Sequence, residues 1–213
     1  MFQHRVPIER PADAHDILGT YKLVADHEHM SEVPRSGDQL IELLRTRHAE
    51  VMRARKDKRP GEFKVLANRA GSSEFVAPEL VTGTLLAGFD VGAPLLDPFQ
   101  RSVYMMFLVA ETHPFADPNG RVACIAMNAE LVANAQVRII IPTVLRLNYI
   151  SALKAATHND VFAPLAAVLA FAQRYTARIN FTTIATAEAE LARTNAFRDP
   201  YEAEQSGIRL ELL

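Results

Sequence analysis

Val103-Tyr104-Met105-Met106-Phe107-Leu108-Val109-Ala110 is apolar nearly all the way round a helical wheel. A helix without a polar face must be enclosed by other helices, so this stretch predicts the centre of a mainly α bundle. Asp97-Pro98 opens the helix that contains it, since Asp favours the N-cap and Pro the first helical position, and the helix is expected to run to Glu111. Then the pattern breaks. Thr112-His113-Pro114-Phe115-Ala116-Asp117-Pro118-Asn119-Gly120-Arg121 is a polar loop between two strongly apolar segments, and burying such residues without purpose would cost stability. The next helix is expected from about Gly120 to Ala135, with Val122, Ile125, Ala126, Ala129 and Leu131 on its inner side.

Further towards the N-terminus, Leu40, Ile41, Leu44, Val51 and Met52 recur at helical spacing, opposed by Glu42, Arg45, Arg47 and Glu50, and predict a helix from Asp38 to about Lys56. Arg59-Pro60-Gly61 breaks it. Phe63-Lys64-Val65-Leu66 and Glu74-Phe75-Val76 then flank the turn-forming Asn68-Arg69-Ala70-Gly71-Ser72, which predicts a small β-hairpin. A short helix, Glu79 to Ala87, follows Pro78. On the C-terminal side, helices are expected from Pro142 to about Ala156, from Asp160 to about Arg178 and from Thr183 to Asn195. Residues 1–37, with Pro7, Pro11, Pro34 and alternating charges, predict a loosely packed arm that can dock on the domain, with only a weak helical signal from about Asp13 to Met30, and residues 198–213 predict a polar, mobile tail.

The composition bounds the function. In 213 residues, 23 Lys and Arg stand against 25 Asp and Glu for a formal net charge of −2, which excludes a surface built throughout for phosphate neutralisation, and nucleic acid is not an expected partner. Cys124 is the one cysteine and can form no internal disulfide. Met1 to Glu9 lacks the apolar core of a secretory signal, and the chain reads as cytoplasmic. The longest apolar runs, Val103 to Ala110 and Val161 to Ala172, fall short of the about 20 residues that span a bilayer, so no membrane span is expected.

The polar loop carries the chemistry. If a helix starts at Asn119 or Gly120, its unpaired N–H groups and positive dipole end face the loop, which is how helix N-termini hold phosphate oxygens. Gly120 allows close approach, Arg121 adds a planar cation that can fork two phosphate oxygens, and Asp117 is a hard oxygen ligand suited to Mg²⁺. His113 can take a proton from an attacking hydroxyl. Plainer readings stand beside these. Asp117 and Asn119 are also ordinary helix-capping residues, and Cys124 fits as a small core residue. Asp26-His27-Glu28-His29 has metal-ligating residue types but no second ligand cluster, and reads better as a solvated segment. The basic run Arg53 to Arg59 reads as the water-facing end of a helix rather than a nucleic-acid patch.

His113-Pro114-Phe115-Ala116-Asp117-Pro118-Asn119-Gly120-Arg121 resembles the signature of the Fic family, His-Pro-Phe-x-Asp-Gly-Asn-Gly-Arg-x-x-Arg. Pro60-Gly61-Glu62-Phe63-Lys64 with Asn68-Arg69-Ala70-Gly71 and Phe75-Val76-x-Pro78 is similar to the family's flap and its flank. The resemblance covers about residues 38–197, with the flap at 62–77 and the motif loop at 113–121, and implies a Fic-type helical bundle bearing a β-hairpin flap. The implied activity is transfer of AMP from Mg²⁺-ATP to a Ser, Thr or Tyr hydroxyl of a target protein. By carry-over, His113 is the general base, Asp117 holds Mg²⁺, and Asn119, Gly120 and Arg121 line the phosphate nest. Phe115 anchors the loop, and Phe63, Lys64, Phe75 and Val76 belong to the flap on which the target docks by strand addition. A second copy of the chain is admitted as a further partner.

Two positions differ from the signature. Pro118 replaces its first glycine and lacks an N–H, and Cys124 replaces its second arginine, which in the family clamps the γ-phosphate and pairs with an inhibitory glutamate. A lost charge-assisted phosphate contact costs about 1.5–3 kcal/mol, so AMP transfer is expected to be weakened. The alternatives are a target-binding module without activity, and Doc-like phosphorylation, since the Doc branch also lacks the second arginine. The family's inhibitory pattern, Ser/Thr-x-x-x-Glu-Gly/Asn, is not completed at Thr46 to Glu50 or at Thr186 to Glu190, so no glutamate switch of that kind is expected.

Overall fold

The computed structural model describes residues 11–71 and 73–213; the expectations for the first ten residues and for Ser72 in the turn lie outside the described residues. The chain folds as two compact units, residues 1–136 and 137–213.

The first unit holds six helices among the described residues: α1 (Pro11–Ala25), α2 (His27–Ser31), α3 (Gly37–Val51), α4 (Val81–Gly92), α5 (Pro98–Thr112) and α6 (Asn119–Ala133). The apolar stretch sits where its pattern requires. On α5, Val103, Met105, Met106, Leu108, Val109 and Ala110 are buried, and this helix packs against both α4 and α6. Asp97 caps it, its side chain accepting from the Gln100 N–H at 2.8 Å.

Three elements differ from expectation. α4 runs to Gly92 rather than ending at Ala87. Gly88 and Gly92 do not break it, because both lie against α5: a Cβ at Gly88 would come within 2.3 Å of Leu108 and one at Gly92 within 2.4 Å of the Tyr104 ring. Their missing side chains allow close helix packing, worth more here than helix propensity. The arm is not loose. Leu23 and Met30 from α1 and α2 join Val51, Met52, Ile125 and Ala129 in one apolar cluster. α1 and α2 fall on the stretch of weak helical signal from about Asp13 to Met30. The hairpin is shorter than expected, with β1 (Arg69–Ala70) and β2 (Ser73–Glu74) antiparallel in the register Arg69 to Glu74 and Ala70 to Ser73. Phe63 to Leu66 is not strand.

The second unit comprises α7 (Arg146–Asn159), α8 (Ala163–Thr176), α9 (Ile184–Arg193) and α10 (Pro200–Gln205). Val144, Tyr175, Ile179, Ala187, Ala196, Ala203 and Leu210 form its core. The tail expected to be polar and mobile is therefore packed, for Asp199 caps α10 and both Ala203 and Leu210 are buried. No helix among the described residues is long and apolar enough to cross a membrane.

Candidate active site around His113

α5 ends at Thr112, and His113 caps it with a left-handed backbone, φ 47°, its N–H donating to the Val109 carbonyl at 3.0 Å. For a non-glycine residue that conformation is sterically costly, and such residues concentrate at functional sites. The side chain bends back over the same helix end, and Nδ1 lies 2.9 Å from the Ala110 carbonyl. A carbonyl only accepts, so Nδ1 carries the proton and Nε2 keeps its lone pair. Phe75, just beyond β2, stacks on the imidazole with centroids 3.6 Å apart and planes 7° apart. Burial pulls the His113 pKa below the ordinary histidine value; the Ala110 carbonyl opposes the shift, Lys64 adds to it and Asp117 opposes it.

Phe115 fixes the loop in the core. Fully buried, its ring stacks on His48 at 3.9 Å and meets Phe63 at 5.3 Å in a tilted contact. His48 braces the loop as well. The Gly61 N–H donates to its Nδ1 at 2.9 Å, so its Nε2 carries the proton and donates to the Asp117 carbonyl at 2.7 Å. Both bonds require neutral imidazole, and burial lowers the His48 pKa accordingly.

Asn119, first residue of α6, is 3% exposed and turned inward. Its Oδ1 accepts from the Phe115 N–H and its Nδ2 donates to the Phe115 carbonyl, each at 2.8 Å. The resemblance assigns this residue to the phosphate nest; its side chain clamps the loop. The flap residues are likewise turned towards the loop. The Lys64 N–H donates to the Pro114 carbonyl at 2.8 Å, and its buried ammonium donates to Asn68 Oδ1 at 2.6 Å. Asn68 Nδ2 in turn donates to the Phe115 carbonyl at 3.0 Å. Phe63 packs on Phe115, Val76 is half-buried, and the outward apolar side chains of this segment are Val65 and Leu66.

The phosphate side of the site is the start of α6. Pro118 occupies its N-cap position and offers no side-chain acceptor, while the N–H groups of Arg121 and Val122 reach back to the Pro118 carbonyl. The Asp117–Pro118 peptide is cis. A Cβ at Gly120 would meet nothing within 4 Å, so this end of the helix has room for a ligand. The exposed Asp117 projects beside it. Arg121 is engaged rather than free: its guanidinium lies 2.9 Å from Asp16 Oδ2 of α1, and Arg55 approaches the same oxygen at 3.6 Å. The Asp16 side chain is 4% exposed and that of Arg121 38%. Cys124, one turn further along α6, is held as a neutral thiol because burial pushes it up to about 11.

The donor set fits Mg²⁺ arriving with a nucleotide. No group of three or more metal-type side chains exists among the described residues, and Asp117 supplies a single open carboxylate. Mg²⁺ is commonly held in that way, by one or two carboxylates plus substrate phosphates and water. In the segment Asp26-His27-Glu28-His29, Asp26 caps α2 by accepting from the Glu28 and His29 N–H groups. The cavity of about 740 Å³ among α1, α2 and α3, lined by Lys22, Asp26, Glu32 and Arg47 among others, includes none of the motif residues.

Sequence reasoning missed His48, Asn68 and Asp16. The one signal for His48 was its position four residues after Leu44 and three before Val51, a polar residue on an apolar stripe. Asp16 had none, being joined to Arg121 across 105 positions.

The loop between α5 and α6 thus carries an imidazole at the end of one helix and leaves open space at the N-terminus of the other. Residues 39–131 match the Fic/DOC family model. The fold is similar to that of Fic-1 from C. elegans, with TM-score 0.60 and 17% identity over 96% of this chain and 55% of that one. It is also similar to a Fic domain containing signaling protein from Bacteroides thetaiotaomicron, with TM-score 0.66 and 16% identity over 88% of this chain and 76% of that one. This chain thus spans about half the length of the Fic-1 chain. No curated protein matches it.

Proposed function

We propose that this protein transfers AMP from Mg²⁺-ATP to a hydroxyl side chain of a target protein. The observation that carries the reading is the orientation of His113: with Nδ1–H committed to the Ala110 carbonyl, Nε2 is a fixed acceptor at the mouth of the loop. His113 accepts the proton of a Ser, Thr or Tyr hydroxyl at Nε2 as that oxygen bonds to the α-phosphorus. The bond from the α-phosphorus to the bridging oxygen breaks, and pyrophosphate leaves. The N–H groups at the start of α6, with Arg121 once it leaves Asp16, hold the phosphate oxygens. Asp117 would hold Mg²⁺, whose charge would offset that building up on the phosphate groups. The target's extended segment docks along the flap, where Val65 and Leu66 face outward. The cytoplasm supplies the ATP this reaction needs.

Incubation with α-labelled and γ-labelled ATP tests the reading. Label from α-labelled ATP alone, lost in His113→Ala, supports AMP transfer; label from γ-labelled ATP alone replaces it with Doc-like phosphorylation. Label from neither favours a target-binding module without activity, a reading that the Arg121–Asp16 pair supports because it leaves the phosphate cation already neutralised.

A further inference from the structure

Lys64 presents an anomaly that the transfer chemistry does not use. Its side chain is buried, 5% exposed, yet no carboxylate pairs with it among the described residues. Its acceptors are two neutral oxygens, Asn68 Oδ1 at 2.6 Å and the Thr112 carbonyl at 3.4 Å. A buried cation without a counter-ion destabilises a fold, and the same stem with an apolar end would fill the space more cheaply. Burial pushes its pKa down to about 8, so it is still mainly charged at neutral pH.

The placement of this ammonium gives it a use. Its own N–H bonds the Pro114 carbonyl, and its Nζ reaches the Thr112 carbonyl, so Lys64 grips the chain on both sides of His113. Through Asn68 it also reaches the Phe115 carbonyl. We propose that Lys64 is a positioning residue that ties the root of the flap to the motif loop on both sides of His113 and so sets an ammonium on the flap side of the proposed base. The charged groups acting on the imidazole are Lys64 from the flap side, which opposes a second positive charge, and Asp117 from the loop, which favours one. When His113 takes the hydroxyl proton, the neighbouring ammonium favours prompt return of that proton to water.

The inference rests on His113 as the base of the proposed transfer, but its test does not require transfer. The imidazole of His113 is titrated by NMR in the full chain, with its resonances assigned by their loss in His113→Gln. In Lys64→Met the midpoint shifts upward towards the ordinary histidine value; in Lys64→Arg, which keeps the charge, it stays low. In Asn68→Ala, which removes a pin and keeps the ammonium, it also stays low. An unchanged midpoint in Lys64→Met overturns the proposal, as does a midpoint in Lys64→Arg that rises as far as in Lys64→Met. Should Lys64→Met not fold, Lys64→Gln carries the same expectation and the same refutation. If the midpoints shift as expected while no label is transferred from ATP, the transfer reading fails and the positioning role stands. If label is transferred but the midpoint does not move, the reverse holds.

Discussion

Asn119→Ala separates a residue that clamps the loop from one that holds phosphate. The substitution deletes both bonds to Phe115, each 2.8 Å long, at a residue 3% exposed. The two losses differ in cost. The Phe115 carbonyl keeps Asn68 Nδ2 at 3.0 Å, so losing that bond costs about 0.5–1.5 kcal/mol. The Phe115 N–H has no other acceptor among the described residues and belongs to a fully buried residue, so stranding it costs about 1–3 kcal/mol. Together the variant loses about 1.5–4.5 kcal/mol, measured by urea unfolding of the protein without ligand. Asn119→Asp retains the acceptor for the Phe115 N–H and loses less. A loss below about 0.5 kcal/mol in Asn119→Ala, coupled with weakened nucleotide binding, would refute the clamp and return Asn119 to the phosphate nest.

Asp16→Asn removes the carboxylate that engages Arg121 and is expected to raise ATP affinity about tenfold, read by calorimetry; unchanged affinity would mean that Arg121 does not contact the nucleotide. Acid should destabilise the fold through His48. Its pKa is lowered in the native state, so below about 6.5 the unfolded chain binds the extra proton first. Stability present at pH 7.5 is therefore lost as pH falls through that value towards the native pKa, by at most about 1.4 kcal/mol per pH unit from this group. His48→Gln should flatten the acid limb of unfolding free energy against pH, and an unaltered limb would contradict the assignment. Pro118→Gly combined with Cys124→Arg restores an N–H and a cation beside the phosphates and is expected to raise ATP affinity tenfold to a hundredfold. His113→Ala in that background should abolish transfer while sparing binding, and no gain from the pair would show that these two positions do not limit the site.

Much of this protein is written in its sequence because the signals are local. The run from Val103 to Ala110 demanded enclosure on all sides, and α5 is enclosed. Asp97-Pro98 marks a helix start by cap chemistry alone, and the loop from His113 to Arg121 stands out because polar residues interrupt apolar helices. The tail and the far end of α4 differ from the sequence reading where local propensity conflicts with packing, and the weak helical signal of the arm becomes α1 and α2. The helix is expected to end at Ala87, yet Gly88 and Gly92, having no side chains, allow α4 to run on against Leu108 and Tyr104.

The sequence by itself determined the helical class, the loop and the residue types at the candidate site, since periodicity, capping and motif spacing act over a few residues. Only the tertiary structure decided their duties. The Asn119 side chain bonds Phe115, Lys64 turns inward to the Thr112 carbonyl, and Asp16 meets Arg121 from another helix. Side-chain direction and the pairing of distant charges follow from how the helices pack, a collective outcome of burial that no short stretch of chain encodes.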